Sequence, residues 1–286
     1  MSGRHPPLTI HRRLGHGAVL RQGRSAPYRA IEIGAGEPHL VRDDFKAGPE
    51  EAGSANGPGR PLLCLVHITD LQLADVQSPT RFEFLNARFA DPRYAEIIPV
   101  QRPQEALTAH AVDATLRTLG SVRGPATGRP AQLAVTTGDA IDNAQWNELQ
   151  AFLALFDGGL VSPDSGGPGY EGVQAPDWPG DIFWRPDGPG AEGLDFFRRE
   201  FGYPHHPGLL ERALREFSAA GLSIPWLSCF GNHEALNQGV GTQTPGLGAA
   251  MTGARKPVPG HGTPSTWTNR VRPGSPGSGA AAMTTR

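Results

Sequence analysis

Three short apolar runs punctuate the chain, and each runs straight into polar residues. Residues 62–69 (LLCLVHIT) lead to Asp70, Gln72 and Asp75, residues 131–137 (AQLAVTT) to GDAIDN, and residues 223–230 (SIPWLSCF) to GNHE. Apolar runs of this length, bounded by turn residues, predict buried strands. The stretches between them have helical period. Pro103 opens QEALTAHAVDATLRTL, which sets Leu107, Ala111 and Ala114 on one face and stops at Gly120. Asn143 is placed to cap AQWNELQAFLALF, whose Trp146, Leu149, Leu153 and Phe156 share a stripe. Leu209 to Ala220 predicts a further amphipathic helix closed by Gly221. Upstream, residues 26–46 alternate and break at Gly34-Ala35-Gly36, which predicts a hairpin. A dinucleotide loop is the poorer reading, because no third glycine follows and Glu37-Pro38 does.

Strands alternating with helices predict a layered α/β architecture, in which ligands gather beyond the carboxyl ends of the strands. The expected organisation is an N-terminal hairpin and linker over 1–61, a core over 62–238, and a tail over 239–286 with the composition of a disordered segment. Residues 47–61 read as a flexible linker. The insert at 78–100 has no clean periodicity. Residues 157–193, rich in Gly, Pro and Asp, read as a long loop insertion.

Composition narrows the picture. The 38 glycines and 28 prolines of 286 residues are about twice the usual share and concentrate in the loop stretches. With 19% charged residues and a formal net charge of −2, no basic field points to nucleic acid or an anionic membrane. No run is apolar enough to span a bilayer, and the N-terminal basic residues Arg4, Arg12 and Arg13 are not followed by an apolar signal region. Cys64 and Cys229 read as core residues rather than a disulfide, which leans towards a reducing compartment and makes cytoplasm the default location.

The chemistry lies in the strand tips. D-x-Q at Asp70 and Gln72, G-D-x-x-D-N at Gly138 to Asn143, and G-N-H-E at Gly231 to Glu234 come in this order, each after a strand. Together they resemble the calcineurin-like metallophosphoesterase family over roughly residues 60 to 240. The resemblance implies a four-layer αββα sandwich flanked by helices. It also implies two divalent ions (Mn, Fe, Zn or Mg) and hydrolysis of a small phosphate mono- or diester by a metal-activated water. Two metals suit this reaction because they lower the pKa of a bridging water and clamp the phosphoryl oxygens in line. By the same resemblance Asp139 bridges the metals, Asp70 is a terminal ligand to the first, and Asn232 offers its amide oxygen to the second. His233 acts on the leaving group, and Asp142, Asn143 and Glu234 hold these ligands still.

Two departures stand out. Gln72 occupies the position of the family's histidine ligand, and its amide oxygen is a weaker donor than imidazole. The family's late G-H-x-H motif has no counterpart: His261 in PGHGTP is followed by Thr263 instead of a second histidine. Truncation or a frame shift is the favoured account, which leaves the sheet incomplete at the C-terminus and this polypeptide short of ligands. The other account is a divergent member that draws ligands from His67, His205 or His206. On bland readings His67 is a satisfied interior histidine, His110 is structural, His205-His206 is a solvated turn, and Trp146, Phe152 and Phe156 are core. The rival function is a non-catalytic metal-binding or interaction protein that keeps the fold.

Overall fold

The computed structural model describes residues 8–22, 27–38, 61–78, 80–88, 90–94, 102–124, 127–166, 169–170, 172–178, 180–188, 195–240, 242–252, 255–258 and 270–273. It is a mixed α/β arrangement with several sheets and helices and no barrel. All three predicted strand runs are strands, each shorter than its apolar run. β3 (Leu65–Ile68), β4 (Leu133–Thr137) and β7 (Trp226–Cys229) form one parallel sheet with β4 in the middle. Leu65 pairs with Leu133, and Ala134 pairs with Trp226, so the three C-terminal ends lie side by side.

The period-2 alternation of the strands divides this sheet into two unlike faces. On one face Ile68, Ala134, Thr136 and Trp226 turn towards α1 (Thr108–Leu119) and α2 (Trp146–Asp157). Ala134 and Thr136 are completely covered there, and Phe152 and Phe156 meet the Trp226 ring edge-on at 5.4 and 5.1 Å. Burying a side chain such as Phe156 contributes about 2 kcal/mol, and this face holds most of the core. The other face keeps Leu65 and Leu227 at 48% and 61% exposure.

The helices fall where the period predicts, with altered phase. A 3-10 turn at Glu105–Leu107 precedes α1, and its three-residue repeat rotates the helix, so Ala109, Val112 and Leu116 are buried while Ala111 and Ala114 are exposed. Helix α1 does stop at Gly120, whose N–H bonds the Leu116 carbonyl. Along α2 the predicted stripe is right at Phe156 and wrong at Trp146, which is 46% exposed. Asn143 does not cap α2: its side chain accepts the Gln238 N–H and donates to the Thr80 carbonyl, and Gln145 precedes the helix.

The predicted helix from Leu209 to Ala220 is only α4 (Leu209–Leu214). Arg215 turns extended, and β6 (Phe217–Ala219) pairs antiparallel with β5 (Gly159–Val161). Phe217 stacks on His110 at 4.4 Å, and that tertiary contact overrides local propensity. The 157–193 stretch is not a bare loop either: it buries Val173, Gln174, Phe183 and Trp184 and leads into α3 (Phe196–Phe201).

The hairpin expected over 26–46 is not found: Gly34-Ala35 ends a strand that pairs upstream, and residues 39–46 lie outside the described residues. β1 (Arg12–Gln22) pairs with β2 (Pro27–Ala35), and Gly34 lies inside β2 opposite Arg13. Most of the linker, 47–60, lies outside the described residues, as does His261. The described part of 239–286 departs from a structureless tail. Helix α5 (Pro245–Met251) has Thr244 as its cap and Met251 fully buried, and β8 (Arg255–Val258) pairs antiparallel with β9 (Arg270–Pro273). Cys229 is exposed rather than core, Cys64 is half-buried, and both thiols are free. No helix among the described residues is long and apolar enough to cross a membrane.

Candidate metal centre

Parallel pairing carries the three strand ends into one another. Beyond β3 the Asp70 N–H reaches the Gly138 carbonyl at 3.3 Å and the Gln72 N–H the Asp139 carbonyl at 2.8 Å. The ladder continues through Leu73 beside Ile141. From the third tip, the His233 N–H donates to Asp139 Oδ1 at 3.0 Å. D-x-Q, G-D and G-N-H-E thus form one locus, as the order of the motifs predicts.

The glycines are there because the tips touch. A Cβ on Gly138 would lie 2.7 Å from the Gly231 Cα, and Gly138 also has a φ of +103°. A Cβ on Gly231 would meet the Asp139 nitrogen at 2.5 Å and the Asp139 carboxylate closer still. Beneath this contact the Glu234 carboxylate accepts the N–H groups of Gly231 at 2.6 Å, Ala140 at 2.7 Å and Asp139 at 3.0 Å. With the Ile141 N–H at 3.4 Å, one side chain therefore meets four backbone donors of the two turns. Glu234 thus ties the second and third tips together.

Backbone strain gathers at the same place. Asp70, Gln72, Asp139, Ala144, Asn237 and Gln238 are the non-glycine residues with positive φ among the described residues, at +46° to +56°. The first three are candidate ligands. Ala144 donates its N–H to the His233 carbonyl, and Gln238 accepts Asn232 Nδ2 on its carbonyl. Each such residue costs about 1 kcal/mol or more and persists only where the surroundings impose it.

The candidate ligands differ in what they already hold. Asp70 and Asn232 are exposed, Asp139 is half-buried. Asp70 takes the Thr69 hydroxyl at 2.6 Å on Oδ2. Asn232 donates Nδ2 to the Gln238 carbonyl at 2.7 Å. Asp70 Oδ1, Asp139 Oδ2 and Asn232 Oδ1 accept no hydrogen bond from the described residues. Gln72 is different: its Oε1 accepts Arg102 NH1 at 2.6 Å, and its Nε2 lies 3.4 Å from His233 Nε2. Among the described residues, no three His, Cys, Asp or Glu side chains form a metal-holding group. The oxygens that remain for a cation are two carboxylates and an amide.

Behind Gln72 lies a charge network that the sequence did not announce. Asp142, fully buried, pairs with Arg81 and with Arg102 NH2 at 2.8 Å, and it accepts Gln238 Nε2 at 3.1 Å. Glu105 holds the same two guanidiniums. Burial disfavours the Asp142 charge, yet His233 and the two arginines outweigh it and hold the carboxyl below its usual range. Burial wins at Glu105, whose carboxyl is pushed up. His233 donates through Nδ1 towards the Asp142 carbonyl at 2.9 Å, with Asp142 Oδ1 at 3.4 Å, and this neighbour raises the imidazole pKa. Arg102 and Glu105 form an i,i+3 pair that reads in sequence like any surface pair. Arg81 sits in the aperiodic insert, where no pattern marks it.

Among the described residues, the other histidines that the sequence singles out stay apart from this locus. His67 is exposed on the open sheet face, bonded to Thr137 Oγ1 at 2.8 Å, and not interior as expected. His205 and His206 are exposed, and His110 bonds the Ala213 carbonyl. A half-open apolar cavity of about 710 Å³ lies across Glu234, lined by Trp146, Phe152, Trp226 and Phe230, and carries none of the candidate ligands. Comparison of the chain with protein-family models, curated proteins and solved structures finds no match.

Proposed function

We propose that the chain is a metal-dependent hydrolase of phosphate mono- or diesters, built on the calcineurin-like metallophosphoesterase plan. The observation that carries this reading is the meeting of three strand tips at Gly138 and Gly231, with strained Asp70, Gln72 and Asp139 gathered there. The layered αββα sandwich belongs to the same proposal. Its support is a sheet with one face packed on helices and the other apolar and exposed.

Asp70, Asp139 and Asn232 would hold the cation through oxygens that have no other hydrogen-bond donor among the described residues. Two carboxylates and an amide suit a hard ion such as Mn²⁺ or Mg²⁺. Once bound, a divalent ion supplies a nucleophilic water at neutral pH and neutralises charge on the phosphoryl oxygens. His233 is oriented by Asp142 through Nδ1, and its Nε2, beside the Gln72 amide nitrogen at 3.4 Å, is the nitrogen that would deliver a proton to the departing oxygen. Glu234 keeps the Asp139 turn fixed, and Gly138 and Gly231 keep the third tip in contact with the second.

The test is turnover of p-nitrophenyl phosphate and its bis ester by the full chain with Mn²⁺, set beside Asp139→Asn. The expected result is Mn²⁺-dependent release of nitrophenol that the substitution abolishes. A second reading, a metal-binding protein without catalysis, is favoured by one observation: the oxygen of Gln72 is already engaged by Arg102. Retained Mn²⁺ binding with no turnover of either ester would establish that reading instead.

A further inference from the structure

The Gln72 corner is where the two-metal plan and the side chains disagree. Two carboxylates, Asp142 and Glu105, face two guanidiniums, Arg81 and Arg102, so formal charge there is already balanced. A divalent ion coordinated by Gln72 Oε1 would share that oxygen with Arg102 NH1, which bonds it at 2.6 Å. Like charges so close repel strongly in a half-buried site. The two arginines also differ. Arg81 is 3% exposed and serves the interior, whereas Arg102 is 40% exposed and reaches the surface beside Gln72. Nε of Arg102 is used by Glu105, one N–H of NH1 by Gln72, and one of NH2 by Asp142. One N–H on each terminal nitrogen remains without a partner among the described residues.

We infer that Arg102 takes the place of one of the two metals. The site holds a single divalent ion at Asp70, Asp139 and Asn232, and the Arg102 guanidinium, fastened by Gln72 and Asp142, binds a non-bridging phosphoryl oxygen of the substrate. This rests on the phosphoesterase reading and changes its ligand count. Gln72 becomes a positioning residue, its amide aiming the guanidinium instead of coordinating an ion. A planar donor with two remaining N–H groups is suited to a phosphate oxyanion. The substitution of glutamine for histidine and the presence of the arginine then have one cause.

The experiment is equilibrium dialysis of the full chain against Mn²⁺, with metal counted by atomic emission, followed by dialysis against inorganic phosphate in saturating Mn²⁺. The expected results are one Mn²⁺ per chain and phosphate binding weakened about tenfold in Arg102→Ala and partly restored in Arg102→Lys. The double substitution Gln72→His with Arg102→Ala is expected to admit a second Mn²⁺. Two Mn²⁺ in the unaltered chain overturn the inference and leave the phosphoesterase reading standing. One Mn²⁺ with phosphate affinity unchanged in Arg102→Ala overturns the arginine's role. No Mn²⁺ at all overturns the phosphoesterase reading itself. The count on the unaltered chain decides between one ion and two even if Arg102→Ala does not fold.

Discussion

At the Asp139 corner, two glycines in contact and one capping carboxylate leave the candidate ligand oxygens free of basic side chains, whereas at the Gln72 corner a guanidinium already occupies the amide oxygen. Both corners lie at the ends of parallel strands, and both use left-handed backbone at +46° to +56°. They differ in what lies beneath. Under Asp139 is Glu234, which bonds only backbone N–H groups and so fixes shape. Under Gln72 is Asp142, which gathers charge from Arg81, Arg102 and His233. The same turn architecture can therefore present a corner whose carboxylates suit a cation and a charge-balanced corner whose Arg102 N–H groups suit an anion. The side chains one layer below decide which.

The largest expected effect comes from removing the charge at the Gln72 corner. Asp142→Ala leaves buried Arg81 with Glu105 as its remaining ion-pair partner among the described residues and should cost about 4 kcal/mol in urea denaturation. A cost below about 1 kcal/mol would mean that the network is not what organises this corner. At the other corner, Gly231→Ala forces the Asp139 turn away and should cost about 3 kcal/mol, with Mn²⁺ binding lost even where the chain remains folded. Unchanged Mn²⁺ affinity in that variant would separate the glycine contact from the metal centre.

A smaller effect lies beneath both corners. Glu148 is buried and accepts the N–H groups of Asp75 and Asn143, which follow the first and second tips. Burial pushes its carboxyl from 4.5 up to about 8. A folded-state pKa above the unfolded one means that this contribution to stability is complete below about 4.5 and lost as pH rises through about 8. The thermal midpoint of the native chain should therefore fall across that window more steeply than that of Glu148→Gln. Parallel pH curves for the two proteins would remove Glu148 from the account.

How much of this was legible in the sequence follows from the range of each signal. Strand runs and their order were legible, because apolar runs of fixed length followed by turn residues are local patterns. The positions of Asp70, Asp139 and Asn232 at the strand tips were legible for the same reason, whereas their ligand roles rest on the motif resemblance alone. Helix phase was not, since the 3-10 turn at Glu105–Leu107 depends on packing around Arg81 and Asp142. The segment around Phe217 was read as helix because its strand partner, Gly159–Val161, lies far upstream. Arg81 and Arg102 reach Asp142 across 61 and 40 residues of chain. Such contacts leave no trace in a single sequence, and that is why Gln72 looked like a weakened ligand instead of an arginine's anchor.

The central claim is that the meeting of the three tips makes a cation site around Asp139. Its most direct test is the Mn²⁺ binding isotherm of the full chain, measured by titration calorimetry beside that of Asp139→Asn. The account predicts saturable binding in the native chain, weakened at least about tenfold by the substitution. Identical isotherms for the two proteins, or no saturable binding in the native chain, would contradict it.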